Sequence, residues 1–487
     1  MNSLTQEKVT FKQIERIFFE IGCEVARTLM QQFLEKVDRE LAEIRNKSEL
    51  RHKGLKTTNI KTLMGEVILR RAVYKKVNED GGIEHRYLLD EALGLDTIGN
   101  ISPNLAEKIL EYSCEMSYRE VAQAVSNLTN QTISHQGVWN VVQAVGEKQE
   151  EAERQKVKAF KNNTLLGEKE VPMLFEEADG LWISMQGKDR ENSVKGKREM
   201  KVGVVYEGWE KRYPSSKEYK TVEKIAFAGY MSPEEFKLLR DASIAEKYNL
   251  DEIRYRIING DGASWIRQGY DMETEIFQLD QYHLSKNVIR NVSDKKARRH
   301  IMRWLKAGDI NKALKKINEL KNECGGNERE VKKLETLEGY IKANIDGIVI
   351  YKDREGIELP NAPEGIEYRT LGTMERNVEI FAKRMKGAKS WSEKGANNLS
   401  KIIALKMGKD FKDKISALIA GKLSERVTER FKEEIINTRT IVKGATKKAV
   451  YPMRRGEIPF SNCKVTEARK AIRRMFDLKH FSEMAYR

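Results

Sequence analysis

Between Val171 and Val292 the chain writes an order of elements that few folds satisfy. VPMLFEEADGLWISMQG, KVGVVYEGW and KIAFAGY follow one another as three short apolar runs of strand length. PEEFKLLRDASIAEKYN then reads as a helix opened by Ser232 and Pro233. EIRYRIINGDGASWI returns to strand and stops at Gly260-Asp261-Gly262, and EIFQLDQYHLSKNVIRNV is a further strand running into a helix. Any arrangement of this chain must accommodate three consecutive strands before the first crossover helix.

That order is the one of an α/β, RNase H-like core, expected over 166–294 and 346–410. Its 295–345 gap, RRHIMRWLKAGDINKALKKINELKN and EREVKKLETLEGYIKAN around Cys324-Gly325-Gly326, reads as two charged helices inserted into the core. Residues 1–56 carry apolar positions from Phe11 to Leu41 at three- and four-residue steps, a long amphipathic helix suited to a partner helix or a second subunit. Over 57–102, GEVILRRAVYKKV, a Gly81-Gly82 turn and IEHRYLL predict a β-hairpin unit. Over 103–165 two helices with Ser117 and Ser134 as N-caps flank a turn. This spacing fits a helix-turn-helix whose second helix opens with Ser134, His135, Gln136 and Trp139, although helix pairs with short links are common in any α protein. Residues 411–487 are basic and poor in apolar side chains, a tail on the fold.

The 487 residues carry a net charge of +15 despite 74 acids, a balance that favours a polyanionic partner. The four cysteines are far apart and lack metal-ligand spacing, so a reducing compartment is expected and a structural zinc site is not. No run approaches the roughly 18 apolar residues of a membrane span. The acids suggest chemistry. Phosphodiesters are cut or joined at low barrier by two divalent cations about 4 Å apart, and hard cations want carboxylate oxygens. An acid on the first strand meets one at the end of the fourth, because those strands are neighbours; Asp179 and Asp261 hold these places, each followed by glycine. A third acid must come from a helix across the sheet edge. Glu375, with Thr373 as cap, suits this, and Glu379 one turn later shares its face. An isolated Asp-Gly is more often a turn than a ligand, so the coincidence of both sites with a helical acid carries the reading.

Over nearly its whole length the chain resembles the ISLre-type bacterial insertion-sequence transposases, and more distantly the Mutator-type transposases. The segments that carry the resemblance are TLMGEVILRRAVY, MSYREVA, ADGLWI, NGDGASWI, LDQYHLSKNV and GTMERNVEIFAKRMKGAKSWSEKGA. It implies a DDE triad at Asp179, Asp261 and Glu375, holding two Mg2+ or Mn2+ ions, and strand cleavage and transfer at insertion-sequence ends. The partner implied is double-stranded DNA, handled by at least a dimer, in the bacterial cytoplasm and at the nucleoid when bound. His283 matches a position where related transposases carry a histidine near the active site; the ordinary alternative is a histidine that caps or packs its helix. Asp280 is a rival metal ligand, since it too follows a strand.

Arg376, Lys383, Arg384 and Lys386 surround Glu375 and would hold DNA phosphates, while Trp391 could stack on an unpaired base. Lys447, Lys448, Arg454 and Arg455, and the loop KDRENSVKGKR, are further candidates for sequence-independent contact. The rival function is a DNA-binding regulator with a catalytically silent core.

Overall fold

The computed structural model describes residues 9–421, apart from 79, 268–272 and 326, together with 428, 429 and 432. Lys447, Lys448, Arg454 and Arg455 lie outside the described residues. The chain is a mixed α/β protein. Helix α1 (Phe11–Ile44) opens with a reciprocal cap between Thr10 and Gln13. Its C-terminal half buries Leu34 and Val37 against Ile60, Val67 and Leu69 of a three-stranded antiparallel sheet, β1 (Arg51–Thr62), β2 (Gly65–Val77) and β3 (Ile83–Arg86). Its N-terminal half leaves Phe11, Phe18 and Val25 exposed. Strand β1 escapes a reading of apolar alternation, which starts the unit at residue 57 and sees one hairpin. RHKGLKTTNIKT buries only Thr58, Ile60 and Thr62, so most of the strand looks like loop.

Short helices α2 (Leu88–Leu93) and α3 (Leu95–Ile98) lead to α4 (Pro103–Ser113), α5 (Tyr118–Leu128) and α6 (His135–Lys161). Ser117 and Ser134 cap α5 and α6 by accepting the N–H groups of Glu120 and Gly137, as their spacing predicts. Helix α6 is central: Val138, Val141, Val142 and Val145 are fully buried in the main core. A β-carbon on Gly146 would lie 2.4 Å from Asn398, so glycine lets α6 touch its neighbour there.

The large sheet is built from β4 (Met173–Ser184), β5 (Lys197–Tyr206), β8 (Ile225–Gly229), β9 (Tyr255–Gly260) and β10 (Glu275–Leu279). Helix α7 (Gly187–Glu191) and the ribbon β6 (Trp209–Lys211) and β7 (Tyr219–Thr221) lie on the connections, and α8 (Pro233–Ala245) crosses from β8 to β9. Across the sheet the order is β10-β9-β4-β5-β8, with β4, β5 and β8 antiparallel in turn and β4, β9 and β10 parallel. A buried ionic cluster ties β9 to α8, where Arg240 and Arg256 share Glu176, Asp241 and Glu275.

Helix α9 (Gln281–Asn291) follows β10 and enters a second core with α10 (Lys295–Lys306), α11 (Ile310–Glu323) and α12 (Glu328–Ala343). The insertion thus has three helices rather than two: Gly308, at φ +77°, breaks the first expected helix. Helix α13 (Met374–Met385) and α14 (Glu393–Met407) return to the main core. Helix α15 (Phe411–Ile419) corrects the expected tail at its start, because Phe411, Ile415 and Ile419 are buried in that core. Among the described residues no helix is long and apolar enough to cross a membrane.

Candidate functional site

Strands β4 and β9 run side by side and parallel, with Glu177 opposite Asn259. Two residues further along each, where the pairing of β4 with β9 has stopped, Asp179 and Asp261 line one cavity, Asp179 midway along β4 and Asp261 just past the end of β9. Asp179 accepts its neighbour Gly180's N–H at 2.7 Å. A β-carbon on Gly180 would fall 2.1 Å from the carboxylate of Glu199, so Glu199 rests over the Gly180 backbone. Asp261 accepts the N–H of Ala263 at 2.9 Å, and Tyr340 of α12 donates to its carbonyl at 2.8 Å. Gly262 follows at φ +93° against Asn344, a place where a side chain is both strained and obstructed.

Strand β10 delivers Asp280, which caps α9 by accepting the N–H of His283 at 2.9 Å. Its other oxygen accepts from Asn259 at 3.1 Å, and the residue is buried. His283 Nδ1 sits 3.3 Å from Asp280 Oδ1, close enough to pair electrostatically but without hydrogen-bond alignment.

Glu375 arrives on the first turn of α13, and the anchor of that turn is Glu177. Its carboxylate, 1% exposed, accepts the N–H groups of Gly372, Thr373 and Met374 at 3.2, 3.0 and 3.2 Å. It also accepts the hydroxyls of Thr373 and Tyr206 and the amide of Asn259. The open N–H groups at the start of α13 are thus met by a strand carboxylate. Thr373 is therefore not a side-chain cap: its hydroxyl is turned to Glu177 and reaches no helix N–H.

Donor atoms of Asp179, His283 and Glu375 all lie within 4.8 Å of one another. Asp261 and Asp280 line the same small cavity but stand outside that group of three. Above it opens a groove of about 560 Å³ that adds Trp182, Glu199, Lys286, Arg290 and Lys386. Burial pushes Asp179 up to about 6; the charges of Asp261 and Glu375 add to this, while His283 and the Gly180 N–H oppose it. His283 is raised, chiefly by Asp280 beside it. Burial works against ionised Asp280, but contacts from His283 and Asn259 hold it below its ordinary value.

Glu379 is separated from Glu375 here: it is exposed and paired with Lys383 at 3.0 Å. Arg376, Lys383 and Lys386 are exposed, and of these Lys386 lines the groove. Arg384 is a correction to the expected phosphate contacts. It is 2% exposed, donates to the Ser113 carbonyl at 2.7 Å and lies about 5 Å from the ring centres of Tyr118 and Trp391. Trp391 is likewise a packing residue, its indole N–H given to Met385 and its ring edge-on to Tyr118, which takes it out of the base-stacking role. His135, Gln136 and Trp139 are exposed on the first turns of α6, far along the chain from the carboxylates, and Ser134 is spent on its cap. Glu177, Asn259, Trp182, Glu199, Lys286 and Arg290 were not singled out by sequence. A signal existed for Glu177: two successive acids inside the apolar strand MLFEEADGLWIS require buried partners.

The sequence matches the uncharacterised protein family UPF0236 over residues 4–415. The chain belongs to UPF0236. A UPF0236 protein of Caldanaerobacter subterraneus subsp. tengcongensis is 26% identical over 402 residues, covering 81% of this chain and 77% of that protein. Its name joins eleven loci, so the family occurs there in many copies of one genome. The UPF0236 protein in the vanSb 3' region of Streptococcus gallolyticus is 24% identical over 410 residues, 80% of this chain and 81% of that protein. Among solved structures, the Drosophila P element transposase strand transfer complex aligns with a TM-score of 0.19 at 9% identity, over 67% of this chain and 85% of that one. A TM-score of that size carries no argument about the fold of UPF0236.

Proposed function

We propose that this UPF0236 protein is a DDE-type transposase that cleaves DNA strands at insertion-sequence ends and joins them to a target. The observation that carries the reading is the convergence of Asp179, His283 and Glu375, from β4, α9 and α13, where the parallel pairing of β4 with β9 stops. The strand order agrees with an RNase H-like core, with α10–α12 as its insertion. The many-copy habit of the relatives and the resemblance to ISLre-type transposases point the same way.

The donor set fits a divalent cation. Four acids and an imidazole face one cavity, and the acid charges that add to the effect of burial on Asp179 are the kind a cation relieves. Magnesium or manganese, as a pair of ions, would supply an activated water and neutralise charge on the phosphate. Asp179 and Glu375 would hold metal, with Asp261 across the cavity toward a second position. With Nδ1 beside Asp280, His283 keeps Nε2 for the site, and Asp280 favours the charged ring electrostatically rather than binding metal itself. Lys286, Arg290 and Lys386 then hold the phosphates that flank the reacting bond. Two ends are handled together by a second copy, packed on the exposed Phe11, Phe18 and Val25 stripe of α1.

Nicking of supercoiled plasmid by the full chain tests the reading. The wild type should nick only with magnesium or manganese, and Glu375→Gln should bind DNA without nicking it. Equal inertness of both proteins would favour a silent DNA-binding regulator.

A further inference from the structure

Helix α9 carries more than His283. Counting from it, Lys286, Asn287 and Arg290 stand three, four and seven residues on, so they continue one helix face away from the carboxylates. Lys286, Asn287 and Arg290 line the groove above Asp179 and Glu375. Asn287 and Arg290 also line a second cleft, of about 400 Å³, where α9 packs against α12 of the insertion. The two hollows therefore share a wall and form one path.

The far wall of the second cleft is basic. Arg329, Lys332 and Lys333 come from the first two turns of α12, with Thr336 on the next. Lys333 is paired with Glu330 at 2.7 Å. Arg290, Arg329 and Lys332 are exposed and make no ion pair among the described residues. Three exposed cations free of ion pairs around one cleft suit phosphate oxygens. The lining holds no carboxylate, which sets it apart from the acid-lined site next door.

We propose that the α9–α12 cleft is a second DNA backbone site, taking the phosphates next to the strand held at Asp179 and Glu375. The proposal rests on the DNA-cleaving reading for its position along the strand. From His283 to Arg290 the helix rises about 10 Å. At about 3.4 Å per nucleotide, the cleft begins about three nucleotides from the reacting bond. The insertion thereby adds grip on the backbone without reading bases, since a cleft of this composition addresses phosphate charge.

The test uses the full chain and a labelled random-sequence duplex, with binding measured over a salt series in metal-free buffer. Arg329→Gln with Lys332→Gln should lower the slope of log affinity against log salt by about 2. Raising salt from about 50 to about 200 mM then costs this variant about tenfold less affinity than it costs the wild type. Lys306→Gln with Lys315→Gln removes the same charge from exposed positions of α10 and α11 outside the cleft, and should leave the slope unchanged. A cleft variant with the wild-type slope, or one matched by the control pair, overturns the proposal. Plasmid nicking is scored in parallel. Normal nicking with no change in slope sinks the cleft alone, whereas a lowered slope with no metal-dependent nicking by the wild type keeps the cleft and sinks the cleavage reading.

Discussion

Replacing Asp179 by Asn should make the metal-free protein more stable at pH 8 and no more stable at pH 3. A carboxyl that binds its proton at about 6 in the folded chain, against an ordinary 3.8, favours folding while it is protonated. The sign follows from proton binding: the folded state holds this proton more tightly, so stability is full below about 4 and is lost as pH rises through 6. The difference corresponds to about 3 kcal/mol, reduced toward about 2 kcal/mol because the side chain is partly solvated. Asn keeps an oxygen for the Gly180 N–H but never ionises. Unfolding midpoints in urea, with chelator, should therefore coincide at pH 3 and separate as pH rises to 8, with about half of the gap already open at pH 5. Excess manganese should reverse the order at pH 8, adding about 2.7 kcal/mol to the wild type at a hundredfold excess over Kd and nothing to the variant. A pH-independent gap between the two proteins, or equal stabilisation of both by manganese, would refute the charge-crowding argument.

Glu177→Gln leaves the shape of the side chain but places an amide among N–H and O–H donors that all point at it. Manganese affinity, measured by calorimetry, should fall about 10- to 100-fold as Glu375 loses its fixed position, while Glu177→Asp recovers part of it; unchanged affinity would reduce Glu177 to a packing role. Phe18→Asp should convert a dimer into a monomer in sedimentation without loss of helical signal, because Phe18 is 70% exposed on a stripe with Phe11 and Val25. The same mass for both proteins would remove α1 from the interface.

What could be read beforehand was what depends on local order. The run of strands around ADG and NGDG put Asp179 and Asp261 at one cavity because β4 and β9 are parallel neighbours in a register that sets Glu177 opposite Asn259. The side-chain caps at Ser117, Ser134 and Ser232 were legible for the same reason, each resting on a residue three positions away. Glu177 was not, since its partners at Gly372, Thr373 and Met374 are almost two hundred residues distant. Arg384 misled through its charge, although its position spoke against exposure. It continues the buried stripe of Met374, Asn377 and Phe381, and the cation is sheltered by two aromatic rings and a carbonyl. Polar strand β1 and the Gly308 break fail in the opposite way, because neither shifts the apolar pattern enough to be seen.

The most direct measurement compares the wild type, Asp179→Asn and Glu375→Gln for nicking of supercoiled plasmid, with and without manganese, at matched DNA occupancy. The account predicts nicking by the wild type only when metal is present, and a loss of at least about a hundredfold in both variants with DNA binding retained. Metal-independent nicking, or variants as active as the wild type, would contradict it.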